Sequence, residues 1–247
     1  MVYVMSDIHG NSRRFRSILS QIQLQPEDKL YILGDVIDRH GDGIRILRQI
    51  MAMPNAYMLL GNHEHMMMLA LDEPYDPGDR PNTTEWRYIW YRNGGEVTHR
   101  YWKRIRKTLR AEVIDYLKAL PLHYSITVGG RHFRLVHAAP TELYGIYGDP
   151  SRSATHFAVW HRWKNDLPQL PDTTIVFGHT PTGHYQPGSP LQIWQGPGCI
   201  GIDCGGGYPD VPEDPQDRQG RLACLRLDDM QVFYSEENSD FSPEKGH

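Results

Sequence analysis

Residues 30–39 read LYILGDVIDR. A four-residue apolar run closed by glycine reads as a buried strand, and it delivers two carboxylates, Asp35 and Asp38, with Arg39 behind them. The same form recurs on either side. VYVM (2–5) runs into SDIHG (6–10), and AYMLL (56–60) runs into GNHEH (61–65). Between these runs lie stretches of helical period. Residues 11–23 carry Phe15, Ile18, Leu19 and Ile22 on one face, and residues 43–51 carry Ile44, Leu47 and Ile50. A β-α-β-α-β rhythm implies parallel strands joined by crossover helices. Ligands of such sheets gather beyond the carboxyl ends of the strands, which is where the three polar clusters fall.

The second half changes character. After a middle region (63–120) expected to be helical, with a Pro- and Gly-rich loop at 74–82, HYSITV (123–128), a Gly-Gly turn and HFRLVH (132–137) form a hairpin signature. Short strands are expected at 174–179, 191–194, 199–203, 221–227 and 231–234, building a second, partly antiparallel sheet. An acidic loop (208–217) and a polar tail (235–247) complete the chain, the tail expected to be mobile. No linker divides the sequence, so residues 1–234 read as a single domain.

The 247 residues are 39% hydrophobic and 23% charged, an ordinary globular composition. A net charge of −4 supplies no global basic field for nucleic acid or an anionic membrane, so neither partner is expected. Three cysteines without C-x-x-C spacing argue against a disulfide framework and a zinc knuckle, and suit a reducing cytoplasm. The first apolar run is too short for a signal peptide, and nothing approaches the ~20 apolar residues of a membrane span.

The residues that end apolar runs are Asp7 and His9, Asp35 and Asp38, Asn62 and His63, His137, and His179. All are carboxylates, imidazoles or an amide, the donors that manganese, iron and zinc accept; no thiolate belongs to the set, against a closed structural zinc site. Singly, each has a plain explanation as a cap, a turn former or a satisfied core histidine. Together they sit beside Gly10, Gly34, Gly61, Ala138 and Gly178, small neighbours that permit close backbone approach. That argues for one shared site. Phosphate is best gripped by planar guanidinium groups, for which Arg39 and Arg162 are the candidates.

In order, D-x-H-G (7–10), G-D-x-x-D-R (34–39), G-N-H-E (61–64), V-H-A (136–138) and G-H-T (178–180) resemble the calcineurin-like metallophosphoesterases. W-Y-R-N-G-G (90–95), W-H-R (160–162) and I-D-C-G (202–205) further resemble the bacterial and phage lambda-type serine/threonine protein phosphatases. The resemblance implies an α/β fold of two mixed sheets packed as a sandwich flanked by helices, in four αββα layers. It implies two divalent metals, manganese first and iron or zinc as alternatives. Asp7 and His9 would hold one, Asn62, His137 and His179 the other, and Asp35 would bridge them. His63, oriented by Asp38, would protonate the departing oxygen, and Glu64 would support the shell. The implied reaction is direct in-line attack on phosphorus by a dimetal-bridging hydroxide, in a phosphomonoesterase acting on phosphorylated protein or peptide. The alternative is a symmetrical tetraphosphatase-like hydrolase of dinucleoside polyphosphates or other nucleotides. A non-catalytic scaffold is a third reading, weakened because every expected ligand is present. No nucleophile elbow or Cys-x₅-Arg loop favours a covalent route.

The pattern has departures. Leu60 stands where this branch of phosphatases carries an arginine and tetraphosphatases carry an aliphatic residue, whereas Glu64 matches the phosphatases rather than their G-N-H-D relatives. His40 replaces a glycine and is expected to face the site; Ala139 and Cys204 replace a common Gly and Thr. Met66–Met68 and Trp86, Trp90 and Trp102 read as packing residues, and the basic run 100–110 as a solvated helix face.

Overall fold

The computed structural model describes residues 1–76, 81–164, 168–188, 190–209 and 219–236. The first half follows the expected alternation: β1 (Val2–Met5), α1 (Ser12–Ile22), β2 (Lys29–Ile32), α2 (Gly43–Met51) and β3 (Ala56–Met58). Side chains alternate across each strand. Tyr3, Met5, Leu30 and Ile32 face outward and pack with Phe15, Ile18, Ile44 and Leu47 of the helices. Val4, Tyr31 and Leu33 face inward. Four helices follow: α3 (Asn62–Ala70), α4 (Thr83–Arg92), α5 (Glu96–Trp102) and α6 (Lys107–Lys118). Met66, Met67 and Met68 are fully buried among them, as core residues.

The hairpin is β4 (His123–Val128) and β5 (Arg131–Val136), paired antiparallel through the Gly129–Gly130 turn. Next come α7 (Tyr144–Tyr147), α8 (Ala154–Trp160), β6 (Thr173–Phe177), β7 (Trp194–Gly196), β8 (Cys199–Gly201), β9 (Ala223–Arg226) and β10 (Gln231–Tyr234). One sheet has the order β10-β9-β1-β2-β3 and the other β4-β5-β6-β8-β7. Val4, Tyr31, Leu33 and Leu225 of the first meet Phe133, Leu135, Val176 and Ile200 of the second. Helix α8 covers the outer face of the second sheet, with Phe157 on Ile175 and Phe177. Two mixed five-stranded sheets between helical layers are the αββα sandwich.

Three details of the second half differ from the sequence reading. Strands β9 and β10 do not join the second sheet: β9 runs antiparallel to β1, pairing Val4 with Leu225, because β2 occupies only one edge of β1. LQIW (191–194) is strand only from Trp194, and the Leu191 amide bonds to the Gln219 carbonyl outside any ladder. Helices α7 and α8 occupy a stretch read without helix. The start of α8 is signalled by Ser153, whose side chain accepts from the His156 amide. The expectations for loop 208–217 and tail 235–247 fall mostly outside the described residues.

One core histidine carries a pH consequence. His65 is buried and both its ring nitrogens lack hydrogen-bond partners among the described residues. Burial, aided by the nearby His156, pushes it from an ordinary value of 6.5 down to about 3. Below pH 6.5 the unfolded chain therefore binds a proton that the folded chain refuses, and stability falls with pH by roughly 1.4 kcal/mol per unit from this group. In metal-free protein, urea midpoints at pH 6.5 and 5.5 should diverge less in His65→Leu than in wild type; equal divergence would show that His65 titrates normally.

Candidate metal centre

Three parallel strands of the first sheet (β1, β2, β3) and three of the second (β5, β6, β8) end at one edge of the sandwich. Asp7 and His9 follow β1, Asp35 follows β2, Asn62 follows β3, His137 follows β5 and His179 follows β6. Main-chain bonds lock the loops together: Asp7 N–H donates to the Gly34 carbonyl at 3.2 Å, His9 N–H to Asp35 at 2.9 Å and Gly178 N–H to His137 at 2.9 Å. Gly34 and Gly61 allow this crowding. A Cβ on Gly34, which has φ +99°, would lie 2.6 Å from the Gly61 Cα. Asp7, His9, Asp35, Asp38, Arg39 and His179 all adopt positive φ without being glycine. Such strain of ~1–3 kcal/mol per residue persists only where surrounding structure imposes it.

The hydrogen bonds on the outer nitrogens settle which way each imidazole presents its lone pair. His137 Nδ1 faces the Leu33 carbonyl at 2.6 Å, His9 Nδ1 the Ile37 carbonyl at 3.1 Å, and His179 Nε2 the Trp160 carbonyl at 3.2 Å. A carbonyl only accepts, so each of these nitrogens bears the proton. Burial holds all three rings below the usual histidine value, so they are neutral and the inner nitrogens carry lone pairs. Those lone pairs point at other acceptors. His9 Nε2 lies 3.8 Å from Asp7 Oδ1 and 3.7 Å from Asp35 Oδ2. His137 Nε2 lies 3.5 Å from Asp35 Oδ1 and 3.0 Å from Asn62 Oδ1, and His179 Nδ1 lies 2.8 Å from the same Asn62 oxygen. Acceptors converging on acceptors repel unless a cation lies among them, and this donor set fits divalent metals.

The donors fall into two groups sharing one residue. Ligand atoms of His9, Asp35 and His63 lie within 4.8 Å of one another, as do those of Asp35, His137 and His179. Burial pushes the Asp35 carboxyl well above the usual range, with Asp7 and Glu64 adding to the upward push. Cations on both sides would relieve it. Outer contacts hold these ligands in place. Ser6 donates to Asp7 Oδ2 at 2.5 Å, the His179 amide donates to the same oxygen at 3.0 Å, and the His63 amide to Asp35 Oδ1 at 3.0 Å. Glu64 accepts the amides of Asp35, Val36 and Ile37, so one side chain clasps the start of the G-D-x-x-D-R loop.

Beside the donors, His63 Nδ1 bonds to Asp38 Oδ2 at 2.7 Å, which turns Nε2 inward to 3.9 Å from Asp35 Oδ2. Arg39 is exposed at the rim, its Nη2 3.5 Å from His63 Nε2. Arg162 is also exposed, and its charge helps to depress both His137 and His179. His40 lies against Asn11, with His40 Nε2 3.4 Å from Asn11 Nδ2. Leu60 is fully buried in the core, so no phosphate donor stands at that position.

Two residues given no role by the sequence reading belong here. Trp90, read as packing, donates its indole N–H to Asp38 Oδ2 at 2.8 Å. Gly95 must lack a side chain beneath it, since a Cβ there would lie 2.2 Å from the indole, and the adjoining Gly94 carbonyl accepts the Arg39 amide at 3.0 Å. Asp203, directly after β8, is buried near Asp7 and pushed up to about 8, chiefly by burial. It ends the apolar run CIGID, the same signal that singled out the other acids.

A model of the calcineurin-like phosphoesterase family matches residues 1–201. A symmetrical bis(5'-nucleosyl)-tetraphosphatase of Erwinia tasmaniensis is 41% identical over 64 residues, 25% of this chain and 23% of that protein. Its counterpart from Nitrosospira multiformis is 29% identical over 99 residues, 34% of this chain and 36% of that protein. The chain thus matches between a quarter and about a third of the length of these curated relatives. Among solved structures, a candidate diadenosine tetraphosphatase superposes with a TM-score of 0.59 at 17% identity, over 94% of this chain and 91% of that one, a likeness of fold.

The shared carboxylate generates a prediction. Manganese chloride at 100 times its Kd should raise the unfolding free energy of chelator-stripped protein by about 2.7 kcal/mol per site, and Asp35→Asn should lose most of that gain. A full gain in the variant would mean that Asp35 serves neither donor group.

Proposed function

The chain belongs to the calcineurin-like phosphoesterase family, and from that premise we propose that it is a two-metal hydrolase cleaving the phosphoanhydride of a dinucleoside polyphosphate. The observation that carries the chemistry is Asp35 shared between two donor groups, one of which includes His63, itself bonded to Asp38. Asp7 and His9 would hold one divalent cation, Asn62, His137 and His179 the other, with Asp35 between. When bound, two such cations supply a water acid enough to react at neutral pH and positive charge against the phosphoryl oxygens. Manganese, iron and zinc all suit these donors.

The protein's own groups do the rest. A new P–O bond forms to the water oxygen while the bond to the departing phosphate breaks in line. His63 gives that departing oxygen a proton from Nε2, and Asp38 holds the ring through Nδ1. Trp90 in turn fixes Asp38. Arg39 and Arg162 orient the remaining phosphate oxygens from the rim.

The substrate reading is supported by local likeness to symmetrical tetraphosphatases and by Leu60, whose burial removes the arginine that resembling protein phosphatases carry. A phosphoserine or phosphothreonine phosphatase is the second reading, favoured by Glu64 in its clasp on the Asp35 loop. With manganese, kcat/KM should be higher for diadenosine tetraphosphate than for a phosphoserine peptide; the reverse order would overturn the substrate assignment and leave the metal chemistry standing.

Leaving groups separate the role of His63 from the choice of substrate. A serine alkoxide needs a proton, whereas a departing nucleoside diphosphate is acidic enough to leave with little help. His63→Asn should keep its metal content and lose roughly 10²–10⁴-fold on the phosphoserine peptide, with a smaller loss on diadenosine tetraphosphate. Equal losses would assign His63 to metal binding instead. Trp90→Phe, which keeps the packing and removes the N–H, should lose about tenfold at unchanged metal content, and full activity would remove the indole from the relay.

A further inference from the structure

A groove of about 260 Å³ opens beside the metal centre, between α7, α8 and the residues that follow α8. That is smaller than the ~300–1,000 Å³ of sites that enclose a whole drug-sized ligand, and it suits one end of a larger molecule. Its position relative to the reacting centre is fixed by chain continuity. Trp160, in its wall, accepts the His179 Nε2 proton on its carbonyl, and Arg162 two residues later acts electrostatically on His137 and His179. Arg162 and Arg152 both line this wall.

The wall is aromatic. His156 lies stacked on Trp160, with ring centres 5.7 Å apart and planes at 18°. Burial, with the charge of Arg152, pushes His156 down to about 4, so at neutral pH it is an uncharged flat ring. Tyr147 stands edge-on to Trp163 at 5.3 Å and remains 37% exposed. The Trp160 indole N–H has no acceptor among the described residues. The groove's carboxylate, Asp149, accepts from the Ser151 amide at 2.8 Å and from the Ser151 side chain. Flat rings beside two guanidinium groups match a nucleobase joined to phosphate: bases stack on aromatic side chains regardless of sequence, and arginine takes the phosphate oxygens.

We propose that this groove is a nucleoside subsite, in which the base of one nucleotide stacks against Tyr147 and the His156–Trp160 wall while its phosphates pass Arg152 and Arg162 toward the metal centre. The assignment rests on the dinucleoside polyphosphate reading and adds to it the residues that tell a nucleotide from a bare phosphate.

Tyr147→Ala and Arg152→Ala lie on exposed segments outside the catalytic machinery, so they leave folding intact. Two measurements test the subsite. In the first, adenosine 5'-monophosphate and ribose 5-phosphate are titrated against the manganese-loaded protein by calorimetry. The monophosphate should bind roughly tenfold more tightly, and Tyr147→Ala should abolish the difference. In the second, KM for diadenosine tetraphosphate should rise roughly tenfold in each variant, while in Tyr147→Ala hydrolysis of tripolyphosphate, an anhydride without a base, stays at the wild-type rate. Equal binding of the two monophosphates, or a difference that survives Tyr147→Ala, overturns the subsite. So does a variant effect confined to the KM of a phosphopeptide, which would make the groove a peptide channel. Wild-type protein that ignores diadenosine tetraphosphate yet prefers the adenosine ligand through Tyr147 would defeat the substrate reading and uphold the groove.

Discussion

Burying an ionisable carboxylate at Asp35, with neutral imidazoles aiming lone pairs at its oxygens and their neighbours, is the constraint around which the rest of the structure is arranged. Stripped of water and given no donor, such an array would be strongly unfavourable. Divalent cations would turn the same array into two coordination sets with one ligand in common. The outer contacts then make sense as a single device. Main-chain carbonyls on the far nitrogens choose the tautomers, Glu64 holds the loop that carries Asp35, and Trp90 with Asp38 aims His63.

That device is assembled at a cost in local conformation, and the core carries it. Six residues at or beside the site take left-handed backbone angles that their side chains disfavour. Several lie just beyond a strand whose last positions are fully buried, such as Asp35 after Leu33 and His179 after Phe177. Rigid strand ends set the separation of the loops, and strain in the loops aims the side chains. Substitution at Gly34 or Gly61 would disturb both levels at once, since their backbones touch.

The first half and the site were readable because each functional residue ends an apolar run, a signal that survives without knowledge of pairing. Asp7, His9, Asp35, Asn62, His137 and His179 meet across distances in sequence of up to 172 positions. Pairing itself was less legible. Nothing local in RLACLRL distinguishes a strand that extends the second sheet from one that returns to β1, because the choice depends on which edge is open after the first five elements have packed. Asp203 carried the same run-ending signal as the others and stood within the I-D-C-G stretch, yet was given no role of its own. Trp90 was hidden for another reason: an indole that packs and an indole that also donates its N–H look alike in sequence, and only the position of Asp38 separates them.

Because Tyr3, Val4 and Met5 lie between strand β2 on one side and residues 224–226 on the other, β1 is completed only when a segment more than 200 positions later in the chain arrives. At ribosomal speeds of about 5–20 residues per second, its open edge waits on the order of 10–40 s for its partner. Through that interval the nascent polypeptide exposes an unsatisfied ladder of amides and carbonyls beside several hydrophobic side chains. The exposed edge of β1 is thus closed by β9 rather than by any segment near it in sequence, which removes an edge open to other chains.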